Sequence, residues 1–189
     1  ATNIITSIST STATSGGNVT ADGGGSIIAK GVCWAITTSP TIADFKTIDG
    51  TGTGAFTSNL SSLLPNTTYY LRAYATNSAG TSYGTERIFK TFAAMDIEGN
   101  LYNSVTIGTQ TWFSENLRTS KYNNGVSIPT TTTLDLTGET TPKYQWVYDN
   151  DNANLATYGR LYTFFAVTDP SGVCPTGWHV PSDAEWETL

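Results

Sequence analysis

The strict alternation from Tyr69 to Thr76 constrains this chain more than any other feature. Tyr69, Leu71, Ala73 and Ala75 fall on one side of an extended strand, and Tyr70, Arg72, Tyr74 and Thr76 fall on the other. Successive strand side chains point to opposite faces, so the first set is predicted to face a core and the second to face out. A helical period would scatter both sets around its circumference. One such strand has no stability by itself, and the surrounding sequence has to supply partners.

The partners are legible as short alternating runs punctuated by Gly, Pro, Asn and Ser across residues 1–92, the pattern of an all-β fold. Strands are expected at residues 4–9, around Val19 between Gly16-Gly17 and Gly23-Gly24-Gly25, and at 27–36 with Val32, Trp34 and Ile36 on one face. Further strands are expected at 55–60 and 85–91. Hydrophobic residues make up 38% of the 189, enough to build cores, whereas charged residues make up only 13%. That is well under the usual quarter or so. Thr, Ser, Asn and Gly supply the polar surface instead, a mixture common in secreted and surface proteins. The formal charge of −6 argues against a nucleic-acid partner, which needs a basic footprint. No apolar run approaches the roughly 18 residues of a membrane span. The chain begins with Ala1 rather than Met and reads as a processed or excised segment.

Leu63, Pro65, Thr67, Tyr69, Leu71, Ala73, Ala75, Asn77 and Gly80 together resemble a fibronectin type III domain. The resemblance implies a β-sandwich over residues 1–92. It implies that Tyr69 is the tyrosine-corner residue, whose hydroxyl bonds back to upstream backbone. The Trp usual on that family's second strand is missing, and Trp34 on the third is expected to supply its bulk. More narrowly, Gly31-Val-Cys-Trp34, Pro40-Thr-Ile, Asp49-Gly-Thr-Gly52 and the run from Thr68 to Asn77 look like repeats of Bacteroidota-type surface proteins. The outward Tyr70–Arg72–Tyr74 stripe is a candidate binding face, since aromatics and Arg are enriched in hot spots. The alternative, that cross-strand aromatic pairs simply stabilise an exposed sheet face, is favoured.

After a short junction at 92–96, residues 95–189 read as a second domain. Gly108-Thr109 suits a type II′ turn between 101–107 and 110–113, a β-hairpin. Residues 130–133 read as loop and 144–148 as a short aromatic strand. Residues 158–167 carry Leu161, Tyr162, Phe165 and Ala166 at helical spacing, so a short buried helix is expected there. Near the end, Ser182 followed three residues later by Glu185 fits a capping box, with Asp183 and Glu185 placed where the helix dipole favours negative charge. Pro181 and Trp186 suit a hydrophobic staple. Trp186 and Leu189, at i and i+3, are expected to share one buried face. Only about two turns are present, and isolated helices under roughly 12–15 residues are marginal. The natural chain is therefore expected to continue, or these turns to pack on something.

Asp96-Ile-Glu-Gly-Asn, Thr106-Ile-Gly-Thr-Gln-Thr-Trp, Glu115-Asn-Leu-Arg, Tyr122-Asn-Asn-Gly, Tyr158-Gly-Arg-Leu-Tyr and Cys174-Pro-Thr-Gly-Trp-His-Val-Pro-Ser-Asp-Ala-Glu-Trp resemble the Fibrobacter succinogenes major paralogous domain. The closing motif also resembles a segment of formylglycine-generating-enzyme-like domains. These resemblances imply an α+β, C-type-lectin-like fold, present here in part, because family members often run well past this motif. Many members carry a Cys where this chain has Gln145, so Cys174 is expected to lack its usual partner. The reactive cysteines of formylglycine-generating enzymes lie toward the domain's end and find no match here.

Local chemistry is sparse. Asp149, Asp151 and Asn152 form the only dense oxygen-ligand cluster, a candidate Ca²⁺ site. An EF-hand would need Gly and Glu where Asn154 and Arg160 stand, and a solvated turn is the favoured reading. Cys33 and Cys174 could pair only if the two domains docked at those points, and two semi-buried thiols are the favoured alternative. Cys174 and His179 invite a nucleophile–base pair, but both read as structural.

The expectation is therefore a non-catalytic extracellular or cell-surface protein, mainly β, in which a fibronectin-III-like sandwich presents a partial lectin-like domain. It would bind a surface glycan or protein, with no cofactor except possible Ca²⁺. One alternative is a structural subunit of an extracellular fibre, which predicts contact with copies of itself through Trp178, Trp186 and Leu189. A second is an accessory module of a secreted glycan hydrolase. Tyr69, Trp34, Ser182 and Glu185 are expected to be structural.

Overall fold

A computed structural model describes residues 1–132 and 135–189. The chain divides into two compact units, Ala1–Phe92 and Ala93–Leu189. Among the described residues no helix is long and apolar enough to cross a membrane.

The first unit contains β1 (Ala13–Val19), β2 (Ala29–Ala35), β3 (Phe45–Lys46), β4 (Gly54–Leu60), β5 (Thr68–Asn77), β6 (Gly80–Tyr83) and β7 (Arg87–Lys90). The alternating run is β5, the centre of one antiparallel sheet. β2 lies on one side of it with Val32 opposite Ala73 and Trp34 opposite Leu71. β6 and β7 follow one another along its other side. β3 pairs with β2, while β1 and β4 form a separate two-stranded sheet. Ala13, Phe56 and Leu60 from that second sheet pack in one cluster with Val32, Trp34, Tyr69, Leu71 and Phe89 from the first. Two sheets sharing one core make a β-sandwich. Burying a Leu such as Leu71 contributes about 1.5–3 kcal/mol. Tyr69 fixes the crossover: its hydroxyl accepts the Leu64 N–H at 2.9 Å while its ring stacks on Phe89. Trp34 is in the core cluster, as expected, and also stacks on Phe45.

Several strand expectations are corrected. Residues 4–9 form no continuous strand; the N-terminal segment meets β1 through isolated bridges at Thr2 and Thr6, with Ser7 at φ 48° interrupting the run. Gly16 and Gly17 do not flank a strand but lie inside β1. A Cβ on Gly16 would meet the Phe56 carbonyl at 2.1 Å, and one on Gly17 the Ala73 side chain at 2.8 Å. Glycine there marks close backbone approach rather than a turn. Ile36 falls outside β2 and is 64% exposed. Ala75 is half-buried, and Tyr74, expected to face out, is buried. Its hydroxyl donates to the Thr47 carbonyl at 2.6 Å, because the segment after β2 folds over that face of the sheet.

The second unit is built from short pairs. β8 (Ala94–Met95) pairs with β9 (Leu101–Tyr102), β10 (Ser104–Ile107) with β11 (Gln110–Phe113), and β12 (Gln145–Val147) with β13 (Arg160–Tyr162). Helices α1 (Leu155–Tyr158), α2 (Phe164–Val167) and α3 (Asp183–Thr188) are equally short. Tyr122, Ile128, Ala166 and Val173 form its core, flanked by Leu117, Tyr162 and Val167. The expected strand at 101–107 is divided, since its first residues pair back with β8. The helix expected over 158–167 is replaced by β13 followed by α2. Gly159 at φ 65° ends α1, and β12 then captures residues 160–162 as a strand. Of the loop expected at 130–133, Thr133 lies outside the described residues.

Carboxylates tie this unit together. Buried Asp96 accepts the Glu98 and Asn100 backbone N–H groups on Oδ1, and the Asn100 amide and the Tyr102 hydroxyl on Oδ2. Glu98 accepts from Ser120 and Thr119, and Glu115 from Asn103 and Ser114. Burial raises both glutamates, but these hydrogen bonds outweigh it and hold them below the usual carboxylate range. Gln145 accepts from Arg160 Nη1 at 2.7 Å and donates to the Ile128 carbonyl.

Candidate binding cleft

The hairpin of β10 and β11 turns on Gly108-Thr109 with Ile107 opposite Gln110. Gly108 sits at φ 58°, which the first position of a II′ turn requires. This turn sets the direction of Trp112 and Phe113 on β11. Opposite them, the segment 175–181 makes a turn in which the Trp178 N–H donates to the Pro175 carbonyl. Between the two lies an open cleft of about 350 Å³, lined by Trp112, Phe113, Trp178, His179, Pro181 and Glu185 among others.

Its walls are aromatic. Tyr102, Phe113 and Trp178 stack in series, with ring centroids 4.9 and 4.0 Å apart. Tyr102 anchors this series through Asp96, and the Arg118 guanidinium lies 4.8 Å from its ring. Trp112 packs against Trp186 at 4.7 Å. Gln110 binds the hairpin to α3: its Nε2 donates to the Glu185 carbonyl at 3.0 Å, and its Oε1 accepts the Trp112 indole N–H at 3.3 Å.

The capping box is present. Ser182 Oγ accepts the Glu185 N–H, and Glu185 Oε2 accepts the Ser182 N–H at 2.8 Å. The Ser182 hydroxyl also contacts Oε2, and His179 Nε2 lies 2.7 Å from Oε1. The Ser182 N–H, then its hydroxyl, then His179 hold the Glu185 carboxyl down at about 2. Glu185 is therefore an anion at any ordinary pH. No Lys or Arg lines the cleft among the described residues.

The other sequence-derived candidates fall elsewhere. Trp186 and Leu189 do not share a buried face; they are 57% and 48% exposed, and α3 buries no residue. The Gln110 bond and the Trp112 contact dock the helix instead. The Tyr70–Arg72–Tyr74 stripe is not a free face. Tyr74 is buried, and Arg72 donates to the Gly84 carbonyl with its guanidinium 4.5 Å from the Tyr83 ring. Asp149 and Asn152 lie in consecutive 3₁₀ turns, and Asp151 is the extended residue between them, its carboxylate accepting the Ala153 N–H; no group of three acidic, His or Cys ligands occurs among the described residues. Cys33 and Cys174 are free thiols, both pushed up to about 11 by burial. His179 faces Glu185, not Cys174.

Sequence reasoning placed Trp112 on a hairpin and missed its role, together with those of Gln110 and Phe113. The aromatic pair Trp112-Phe113 was a visible signal, but its partner Trp178 lies far along the chain.

Residues 105–189 match the family model of the Fibrobacter succinogenes major domain, and that span contains every residue lining the cleft. No curated protein matches the chain. Among solved structures, the chain is similar to the sensor domain of the anti-sigma factor RsgI4 of Pseudobacteroides cellulosolvens, at 21% identity over 49% of this chain and 92% of that one, with a TM-score of 0.37. A redesigned β-sandwich protein is similar at 25% identity over 47% and 87%, with a TM-score of 0.34. A structure of titin domains is similar at 19% identity over 46% and 29%, with a TM-score of 0.35.

Proposed function

We propose that this chain is a non-catalytic extracellular or cell-surface binding protein, and that the aromatic cleft of its second unit holds a carbohydrate. The observation that carries this reading is the convergence of Trp112 and of Trp178, backed by Phe113, on one open cleft beside a single ionised carboxylate. Pyranose rings have an apolar C–H face and a hydroxyl rim. Aromatic faces carry a negative quadrupole that attracts such C–H groups. A mostly apolar pocket with few convergent polar groups is the usual form of a small-ligand site. The state of Glu185 supports binding rather than hydrolysis. A general acid needs a proton near neutral pH, and Glu185 is held ionised by its cap. The Thr-, Ser- and Asn-rich surface and the low charge content support an extracellular setting, with the sandwich as a spacer.

Calorimetric titration of the whole chain against a panel of oligosaccharides tests this. At least one glycan is expected to bind, and Trp178→Ala to weaken it by about tenfold or more. Silence across the panel would overturn the reading. Exposed Trp186 and Leu189 favour a second reading, self-association through α3 in an extracellular assembly. A chain that stays monomeric by light scattering at high concentration removes it.

A further inference from the structure

We propose that the cleft selects glycans carrying a free ammonium group, that is, amino sugars that are not N-acetylated. This rests on the carbohydrate reading and sharpens it. The argument is charge complementarity in an aromatic enclosure. Glu185 is the only carboxylate in the lining; its one basic neighbour there is His179, and no Lys or Arg lines the cleft among the described residues. Its oxygens are not fully used. A carboxylate offers about four lone-pair sites. Oε2 is engaged by the Ser182 N–H and hydroxyl, whereas Oε1 has only His179. One acceptor site on Oε1 is therefore left for a donor in the cleft. α3 reinforces the sign of the field, since Asp183, Glu185 and Glu187 lie on it without a basic residue.

The walls favour the same charge. An ammonium is attracted to the face of an aromatic ring, most strongly to Trp. Trp112 and Trp178 both line the cleft, and the other side of the Trp178 contact is filled by Phe113. An anionic sugar such as a uronate would meet Glu185 with only the His179 ring, already hydrogen-bonded to Oε1, as a basic neighbour in the lining. A neutral sugar would stack but leave the free Oε1 site to water or a hydroxyl. An amino sugar can stack its ring and place its ammonium against both the indole face and Oε1.

The test is titration of the whole chain with the glucosamine hexamer and the N-acetylglucosamine hexamer at low salt. The glucosamine oligomer is expected to bind about tenfold tighter. Raising ionic strength to about 0.5 M should shrink that ratio, because partly exposed charges are screened. Glu185→Gln should bring the ratio to within about twofold; Gln still suits the third position of a capping box, and circular dichroism checks that the variant is folded. A ratio of one, or one insensitive to both salt and Glu185→Gln, overturns the charge selection and leaves the carbohydrate reading standing. If neither hexamer nor any other glycan binds, both fall.

Discussion

In the sandwich, strands are joined by long ladders and held from inside by apolar side chains: Val32, Leu60 and Leu71 are essentially inaccessible. In the second unit, ladders are short, and the chain is held by side chains that reach backbone. Asp96, Glu98, Glu115 and Gln145 each hold loop segments in place, and a stacked aromatic series adds the remaining bulk. The difference shows two ways to solve the same problem. Long strands satisfy their own N–H and C=O groups. A loop-rich unit must satisfy them with side chains, because a buried unpaired donor costs about 1–3 kcal/mol. A loop-rich unit in turn leaves irregular walls, and the cleft lies among them.

The largest effect of a substitution is expected in the sandwich. Leu71→Ala removes a fully buried side chain shared by both sheets and should destabilise that unit by about 2–5 kcal/mol in urea unfolding. A loss under about 1 kcal/mol would mean that its core is not close-packed. In the second unit the comparable lesion is polar. Asp96→Ala strands the Tyr102 hydroxyl and the Glu98 and Asn100 N–H groups, and should cost about 1.5–3 kcal/mol. If it cost nothing, the carboxylate ties would be incidental to stability.

The smallest effect is expected at α3 and depends on pH. The folded Glu185 carboxyl sits at about 2 against an ordinary 4.5. A group lowered in the folded state stabilises fully above its ordinary value and loses that contribution as pH falls through the folded one. The cap should therefore weaken from about pH 4.5 down to about 2. Tryptophan fluorescence reports it through the Trp112–Trp186 contact, and Ser182→Ala should shift the midpoint upward. A midpoint unmoved in that variant would separate the cap from the docking of α3.

Much of the sandwich was legible because its rules are local. The buried alternation of Tyr69, Leu71 and Ala73 needs only the period of a strand. The Ser182–Glu185 box needs only helix geometry, and both of its bonds are made. Tyr74 defeated the same reasoning, since the alternation is correct but a distant loop covers its outward face. Gly16 and Gly17 were misread for a related reason. Composition marks glycine as a turn residue, whereas here neighbouring strands press against the missing Cβ atoms. Residues 160–162 were misread as helix because a helical spacing of apolar residues over so short a span is overridden when another strand offers hydrogen bonds.

The candidate site was half visible. Trp178 and Trp186 stood out as aromatic residues in need of a partner, yet the partners, Phe113 and Trp112, belong to a hairpin far away in the sequence. By itself the sequence determined what near neighbours decide: strand period, the Gly108 turn, the cap of α3 and the acidic balance. The tertiary structure alone decided which faces are covered and which rings meet, because burial and stacking depend on segments brought together across long loops. The cleft and the exposure of Trp186 belong to that second kind.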